Sequence, residues 1–386
     1  MTFEELKTPA YIVLEKKLKE NLELLHMVEE RSGAKILLAQ KAFSMFAVYP
    51  LIGNYLSGTT ASGIFEARLS FEEMLGRSER PLENHVFEPA YKEDEMGEIL
   101  EICDHVYFNS ISQLERHRKY WEPYVEAGRV EIALRINPEH STQEGHEIYD
   151  PCSASSRLGI KLSDMPPKLP YGVTGLHMHT LCEQGFEPLL ETFRVFEERF
   201  ASYLKGIKWL NLGGGHHITR EGYDIEGLIS LIREIRDKYD IDVYLEPGEA
   251  IALDAGLLIT EVMDIVNTSD MPTVILDASA ACHMPDVLEM PYTPPLLDAV
   301  TESGTSVKVR LASRTCLAGD VIGVYDLPHL PSVGDILTFG DMAIYSMVKN
   351  NTFNGMPLPD IVLKHEDGNH ELIRRFGYSD FKERLS

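Results

Sequence analysis

Three things are scarce in this chain of 386 residues. Long apolar runs are missing: no stretch of 18 or more apolar residues occurs, so no membrane-spanning helix is expected. Cysteine is sparse, and Cys103, Cys152, Cys182, Cys282 and Cys316 form no C-x-x-C pair, which argues for reduced thiols and a cytoplasmic setting rather than a disulfide framework. The opening Met1-Thr2-Phe3-Glu4-Glu5-Leu6 carries neither the basic nor the apolar part of a secretion signal, which points the same way. Basic residues are also under-represented, 36 against 61 acidic ones for a net charge of −25. That balance disfavours nucleic acid and anionic membrane as partners; it suits a cationic ligand, or solubility alone.

What is present is enough apolar residue, 44%, for two domains or one large one. Thr8–Leu14 reads as a strand and Glu15–Ser32 as a helix with Leu18, Leu22 and Leu25 on one face. Short apolar strands then alternate with amphipathic helices. The strands are 35–40, 58–62, 85–87, 105–108, 130–136, 173–178, 207–212 and 242–245. The helix after the second is expected to turn Ile64, Phe65, Ala67, Leu69 and Leu75 inward, and Asn109-Ser110 to cap a helix over Ile111–Trp121. Eight strand–helix units in about 250 residues predict a (β/α)8 TIM-like barrel. A doubly wound sheet is the alternative, but no Gly-rich turn follows the first of these strands. Beyond Ala255 helices become rare, strands are expected at 257–266, 273–277, 307–312 and 335–339, and turns at Gly304, Pro331 and Gly334. The expected organisation is a barrel over 15–255 and a C-terminal all-β domain of 256–386 joined by 1–14. The 35 or so residues of Pro138–Gly172 exceed a plain barrel loop and are expected to have a function or to act as a cover.

Active sites of such barrels lie at the C-terminal strand ends. Here those ends carry Lys41, Ser62, Glu88, Asn109, Arg135, His179, Gly213–Gly215 and Glu246. Lys41 closes an apolar run, Ala34–Ala42, and alone it could simply emerge into solvent. Together with the others it suits a pyridoxal 5'-phosphate site. An aldehyde cofactor needs an amine, its phosphate needs backbone N–H groups such as three glycines ahead of a helix can offer, and its ring nitrogen needs a carboxylate.

In the order Gln40-Lys41-Ala42, Gly175-Leu176-His177-Met178-His179, Gly213-Gly214-Gly215, Glu246-Pro247-Gly248, Cys316, Asp320, Tyr345 and Phe353-Asn354-Gly355, the chain resembles the alanine-racemase-fold decarboxylases. That group includes diaminopimelate, ornithine and carboxynorspermidine decarboxylases. The resemblance implies that Lys41 holds the cofactor covalently and His179 stacks on its ring. Gly213, Gly214, Gly215 and Tyr345 would bind the phosphate, Glu246 would face the ring nitrogen, and Arg135 would lie near the ring. It also implies a homodimer with shared active sites, in which Cys316 comes from the partner's second domain and protonates the intermediate or lines the site.

Departures from the group's pattern bear on substrate. Glu249 stands where an arginine is usual, Leu317 where an acidic residue is common, and Thr180-Leu181 follows the stacking histidine. An anion at 249 disfavours diaminopimelate and favours a substrate with distal amines. Decarboxylation of carboxynorspermidine or carboxyspermidine, in the formation of norspermidine or spermidine, is therefore expected, with Glu249, Asp286 and Asp320 as substrate-binding candidates. Diaminopimelate decarboxylase is the alternative enzyme, with an amino-acid racemase behind it. A non-catalytic relative that binds a protein is the alternative from another class. His177, His179, His216 and His217 invite a metal, but no third ligand of suitable spacing accompanies them, and none is expected.

Overall fold

The computed structural model describes residues 6–143, 147–299 and 306–386. The expected turn at Gly304 and residues 1–5 lie outside the described residues. The chain forms two compact units, Asn21–Ile251 and Met1–Glu20 with Ala252–Ser386. The first strand, β1 (Ala10–Leu14), belongs to the latter; the helix Glu15–Ser32 follows it directly.

The unit Asn21–Ile251 is a closed barrel of eight parallel strands. They are β2 (Lys35–Ala39), β3 (Gly58–Ala61), β4 (Glu83–Phe87), β5 (His105–Phe108), β6 (Glu131–Arg135), β7 (Val173–His177), β8 (Trp209–Asn211) and β9 (Asp242–Leu245), with β9 paired back onto β2. Strands buried on both faces read as the short apolar runs seen in the sequence. Leu37, Tyr107, Ala133, Trp209 and Tyr244 fill the barrel interior, with Phe87 packed against them. The Trp209 indole donates to Glu131 Oε2 at 2.6 Å. It leaves no space beside Gly175, where a Cβ would lie 2.2 Å from the ring.

The helices outside bury single stripes. Phe186–Leu204 turns Leu189, Phe193, Phe196 and Phe200 inward, each such burial stabilising by about 1.5–3 kcal/mol. Ser110 does cap its helix, its hydroxyl accepting from Gln113 N–H at 3.2 Å, and that helix runs on to Glu126. Phe65 departs from expectation. It is 77% exposed, because the buried face of Ile64–Glu73 is Ile64, Ala67 and Ser70, and residue 65 lies one position off that stripe.

The other unit is an eight-stranded sheet. After β1 come β10 (Gly256–Asn267), β11 (Pro272–Leu276), β12 (Val307–Ser313), β13 (Val321–Leu327), β14 (Ile336–Gly340), β15 (Asp360–Lys364) and β16 (His370–Arg374). Their order is β13-β12-β11-β10-β1-β15-β16, with β14 on β10. β1 lies inside this sheet, antiparallel to β10 and parallel to β15. β10 breaks register between Val262 and Asp264, the kind of irregularity that lets one long strand serve two pairings. Tyr11 from β1 is buried among Leu258, Val274, Leu311 and Phe339.

Candidate active site

At the C-terminal end of β2 the chain turns under the tail of β9. Ala39 N–H donates to Pro247 O at 3.0 Å, and a Cβ on Gly248 would lie 2.6 Å from Ala42 Cβ, so the two strand tails are in close contact. This contact holds Gln40-Lys41-Ala42 beside Glu246-Pro247-Gly248. Lys41 opens onto the barrel rim and is exposed there, with the surrounding protein displacing part of the water around it. That loss of water, with the charge of Arg135, pushes its ammonium below the ordinary lysine range.

His179, just past β7, is fixed from behind: Gly214 N–H donates to its Nδ1 at 3.0 Å. Burial and the charge of Lys41 push it well down, so it is neutral, and with Nδ1 accepting, its proton is on Nε2. Nε2 faces Lys41 Nζ at 3.4 Å. A donor aimed at an amine is satisfied only when the amine carries a lone pair, the state a nucleophilic lysine requires.

Glu246 directly follows β9 and is 8% exposed. Asn211 Nδ2 donates to its Oε1 at 2.7 Å and His177 Nε2 to its Oε2 at 3.0 Å. Burial pushes the carboxyl up; the adjoining His177, by its charge and its hydrogen bond, outweighs it together with His85 and Thr60 and holds the group below its ordinary value. Glu246 is therefore a fixed anion. Arg135, 5% exposed, stacks over Phe87 at 4.5 Å and donates to His179 O at 3.1 Å. Among the described residues no carboxylate lies within ion-pair distance of it, and burial pushes its guanidinium down to about 10. A buried cation of this kind suits an anionic ligand group.

The glycine turn differs from the expected phosphate loop. Gly213 N–H donates to Asn211 Oδ1 at 2.7 Å and Gly214 N–H to His179, so two of the three amides are engaged within the protein. No helix follows directly either. The next one begins at Ile225 and is capped by Asp224, an acceptor for Gly227 N–H and so no anion site. Gly215 has φ +81°, and a Cβ there would lie 1.9 Å from Leu181 O, so this glycine is required by both conformation and packing.

Glu249 opens the short helix Glu249–Ala252, with His217 Nε2 at 3.5 Å from its carboxylate. In the sheet unit, Asp286 is ion-paired to Lys349. Asp320 is 2% exposed and accepts from Ser279 Oγ at 2.7 Å, Ala281 N–H at 3.1 Å and Thr315 Oγ1 at 2.5 Å. Cys316 is exposed, its N–H donating to Asn354 Oδ1 at 2.9 Å, and Tyr345 has a positive φ of 49°. Asn109 ties down the long segment, donating to Arg157 O at 2.9 Å and accepting from Gly159 N–H at 2.6 Å.

Sequence reasoning missed three groups. Asn211 and His177 hold Glu246, and Glu66, pushed up by burial and accepting from Ser62 N–H at 2.6 Å, lies close enough for the charge of Lys41 to act on it. The only sequence signal was the i, i+2 spacing of His177 and His179, which places both on one face of a strand. For metals, Glu83, His85 and His105 bring ligand-type atoms within 4.8 Å of one another. Their imidazoles, however, are stacked at 4.0 Å, His85 has both nitrogens in other hydrogen bonds, and Lys35 Nζ sits 2.6 Å from Glu83. This is the geometry of a hydrogen-bonded chain and not of a cation site.

Residues 38–343 match the family model described as pyridoxal-dependent decarboxylase, C-terminal sheet domain. The chain is a pyridoxal-dependent decarboxylase. A carboxynorspermidine/carboxyspermidine decarboxylase of Campylobacter jejuni is 40% identical over the whole of both chains. A carboxyaminopropylagmatine decarboxylase of Synechocystis is 38% identical over 98% of this chain and 96% of its own. The crystal structure of carboxynorspermidine decarboxylase from Campylobacter jejuni complexed with norspermidine matches with a TM-score of 0.89 and 39% identity, covering 98% of this chain and 100% of that one. Diaminopimelate decarboxylase from Helicobacter pylori, at 18% identity and a TM-score of 0.81, shares the barrel-plus-sheet fold. The enzyme uses pyridoxal phosphate, and its residues fit that group: a lysine of lowered basicity, a buried guanidinium with no anionic partner among the described residues, and a fixed carboxylate. Among the described residues no helix is long and apolar enough to cross a membrane.

Proposed function

We propose that this decarboxylase acts on a carboxylated polyamine, carboxynorspermidine or carboxyspermidine, releasing CO2 and norspermidine or spermidine in polyamine biosynthesis in the cytoplasm. The observation that carries the reading is Glu249: an anion three residues beyond Glu246 attracts distal amines and repels the second carboxylate of diaminopimelate. The names of relatives at 33–40% identity over the full chain support it. The Synechocystis relative favours a second reading, in which the amine tail ends in a guanidinium.

Bound pyridoxal phosphate supplies an electron-poor ring that takes up the electron pair left when CO2 departs. Lys41 would carry it and release it to the substrate amine. Glu246 would keep a proton on the ring nitrogen, Arg135 would lie beside the ring, and His179 would lie along its face. Gly213, Gly214, Gly215 and Tyr345 would border the phosphate, with Gly215 N–H the glycine amide best suited to donate. Glu249 and Asp286 would hold the cationic tail, Asp286 by exchanging Lys349 for substrate. Asp320, already satisfied by three donors, would act by shaping the Thr315-Cys316 loop. In a homodimer, Cys316 of one copy would serve the barrel of the other and return a proton to the α-carbon.

The test is a decarboxylation panel of carboxynorspermidine, carboxyspermidine, carboxyaminopropylagmatine, diaminopimelate and ornithine. Turnover is expected on the first two. Preference for diaminopimelate would overturn the proposal, and preference for carboxyaminopropylagmatine would favour the second reading.

A further inference from the structure

A line of hydrogen bonds crosses the barrel interior from its N-terminal end to Glu246. It runs Lys35, Glu83, His85, Tyr107, Asn211, Glu246, and His85, Tyr107 and Asn211 are fully buried. The neighbours fix the direction of every proton in it. Asn211 Oδ1 must face the Gly213 N–H, 2.7 Å away, so its amino group faces Glu246 Oε1 at 2.7 Å and Tyr107 Oη at 3.0 Å. Tyr107 Oη thus accepts from Asn211. Its own proton has one acceptor among the described residues, His85 Nδ1 at 2.5 Å. His85 Nδ1 therefore holds a lone pair, and its Nε2–H donates to Glu83 Oε2 at 2.9 Å. Lys35 Nζ closes the line on Glu83 Oε1 at 2.6 Å and also reaches Tyr244 Oη at 3.0 Å.

The Asn211 amide donates in both directions, towards Glu246 and towards Tyr107. An amide in that state passes no proton, so the line does not connect Glu246 to solvent for proton exchange. We propose that Glu83, His85 and Tyr107 form a brace that locks the Asn211 amide, which in turn aligns Glu246 and the Gly213 turn with each other. Asn211, Tyr107 and His85 are positioning residues: none is assigned a contact with substrate. The brace matters to catalysis through Glu246 at the ring nitrogen, and so rests on the function proposed above. Without an acceptor at His85, the Tyr107 proton has no partner unless Asn211 flips. A flipped amide would set its oxygen against Glu246 and its NH2 against Gly213 N–H.

Two measurements test this. The first uses the unmodified holoenzyme labelled with 15N-histidine, with the His85 signal assigned by its loss in His85→Asn. Nuclear magnetic resonance at neutral pH should show His85 protonated on Nε2 and bare on Nδ1; an Nδ1–H or doubly protonated ring overturns the brace. The second compares variants. His85→Leu and Tyr107→Phe should lower kcat about tenfold with KM within about twofold, and should alter the visible band of the bound cofactor. His85→Asn, whose side-chain oxygen stands where Nδ1 stood, should recover most of that loss. Equal loss in His85→Leu and His85→Asn, or none in either, overturns the proposal. Glu246→Gln separates the two levels. A variant that stays active while the His85 tautomer holds removes the ring-nitrogen reading of Glu246. An inactive one with the wrong tautomer removes only the brace.

Discussion

Replacing Glu246 by glutamine changes one oxygen to an amino group in a place that has donors on both sides. Oε1 receives Asn211 Nδ2 at 2.7 Å and Oε2 receives His177 Nε2 at 3.0 Å. Glutamine can satisfy one of them, and its NH2 then faces the other N–H. At 8% exposure water does not fill the gap. A lost hydrogen bond to a charged acceptor costs about 1.5–3 kcal/mol, while removal of a buried charge offsets part of that. At about 2–4 °C per kcal/mol for a unit of this size, Tm should fall by about 3–6 °C. The carboxylate's depressed value makes its contribution complete above about 4.5 and lost as pH falls toward about 2. The Tm gap between wild type and variant should therefore narrow on acidification. If Glu246 faces the ring nitrogen as proposed, turnover should fall by about a hundredfold or more, because that charge is gone. Differential scanning calorimetry across pH and steady-state CO2 release measure the two effects. A Tm gap that is absent, or that widens in acid, would refute the hydrogen-bond account of Glu246.

Lys41→Ala should abolish the visible absorbance of the covalently held cofactor along with turnover; retention of both would remove Lys41 from its role. Glu249→Ala should raise KM for carboxynorspermidine about tenfold, the loss of one charge-assisted contact, with kcat less affected. Gly175→Ala pushes a methyl to 2.2 Å from the Trp209 ring and should destabilise by about 1–3 kcal/mol in urea unfolding, with partial relief in the Trp209→Phe background. Mixing Lys41→Ala with Cys316→Ala chains should restore turnover that neither has alone, and failure to do so would count against sites shared between two subunits.

Much of this was readable in the sequence, for physical reasons that differ by place. The barrel strands are short apolar runs because they are buried on both faces, so each stands out to within a few residues. β13 and β16, at the ends of the other sheet, carry no such run, β13 because buried and exposed positions interleave and β16 because none of its residues is buried; neither was expected, nor was β15. That Lys41, His179 and Glu246 stand at one end of the barrel was legible because a barrel presents its strand ends together. Asn211 and Tyr107 were not: they are 104 residues apart in sequence, and their contact exists only once the barrel closes. What three successive glycines did not reveal is that two of their amides, those of Gly213 and Gly214, orient the side chains of Asn211 and His179.

The placement of β1 has a consequence for how the polypeptide can be divided and made. Its neighbour β10 emerges roughly 240 residues later, about 12–50 s at ordinary synthesis rates. During that interval Tyr11, Ile12 and Val13 have no permanent partner, although the whole barrel between them and β10 can already be complete. A C-terminal fragment cut at Ala252 would lack an inner strand of its sheet, leaving β10 and β15 facing a gap. Joining residues 6–20 ahead of that fragment by a short linker is therefore the route by which the sheet could be produced on its own.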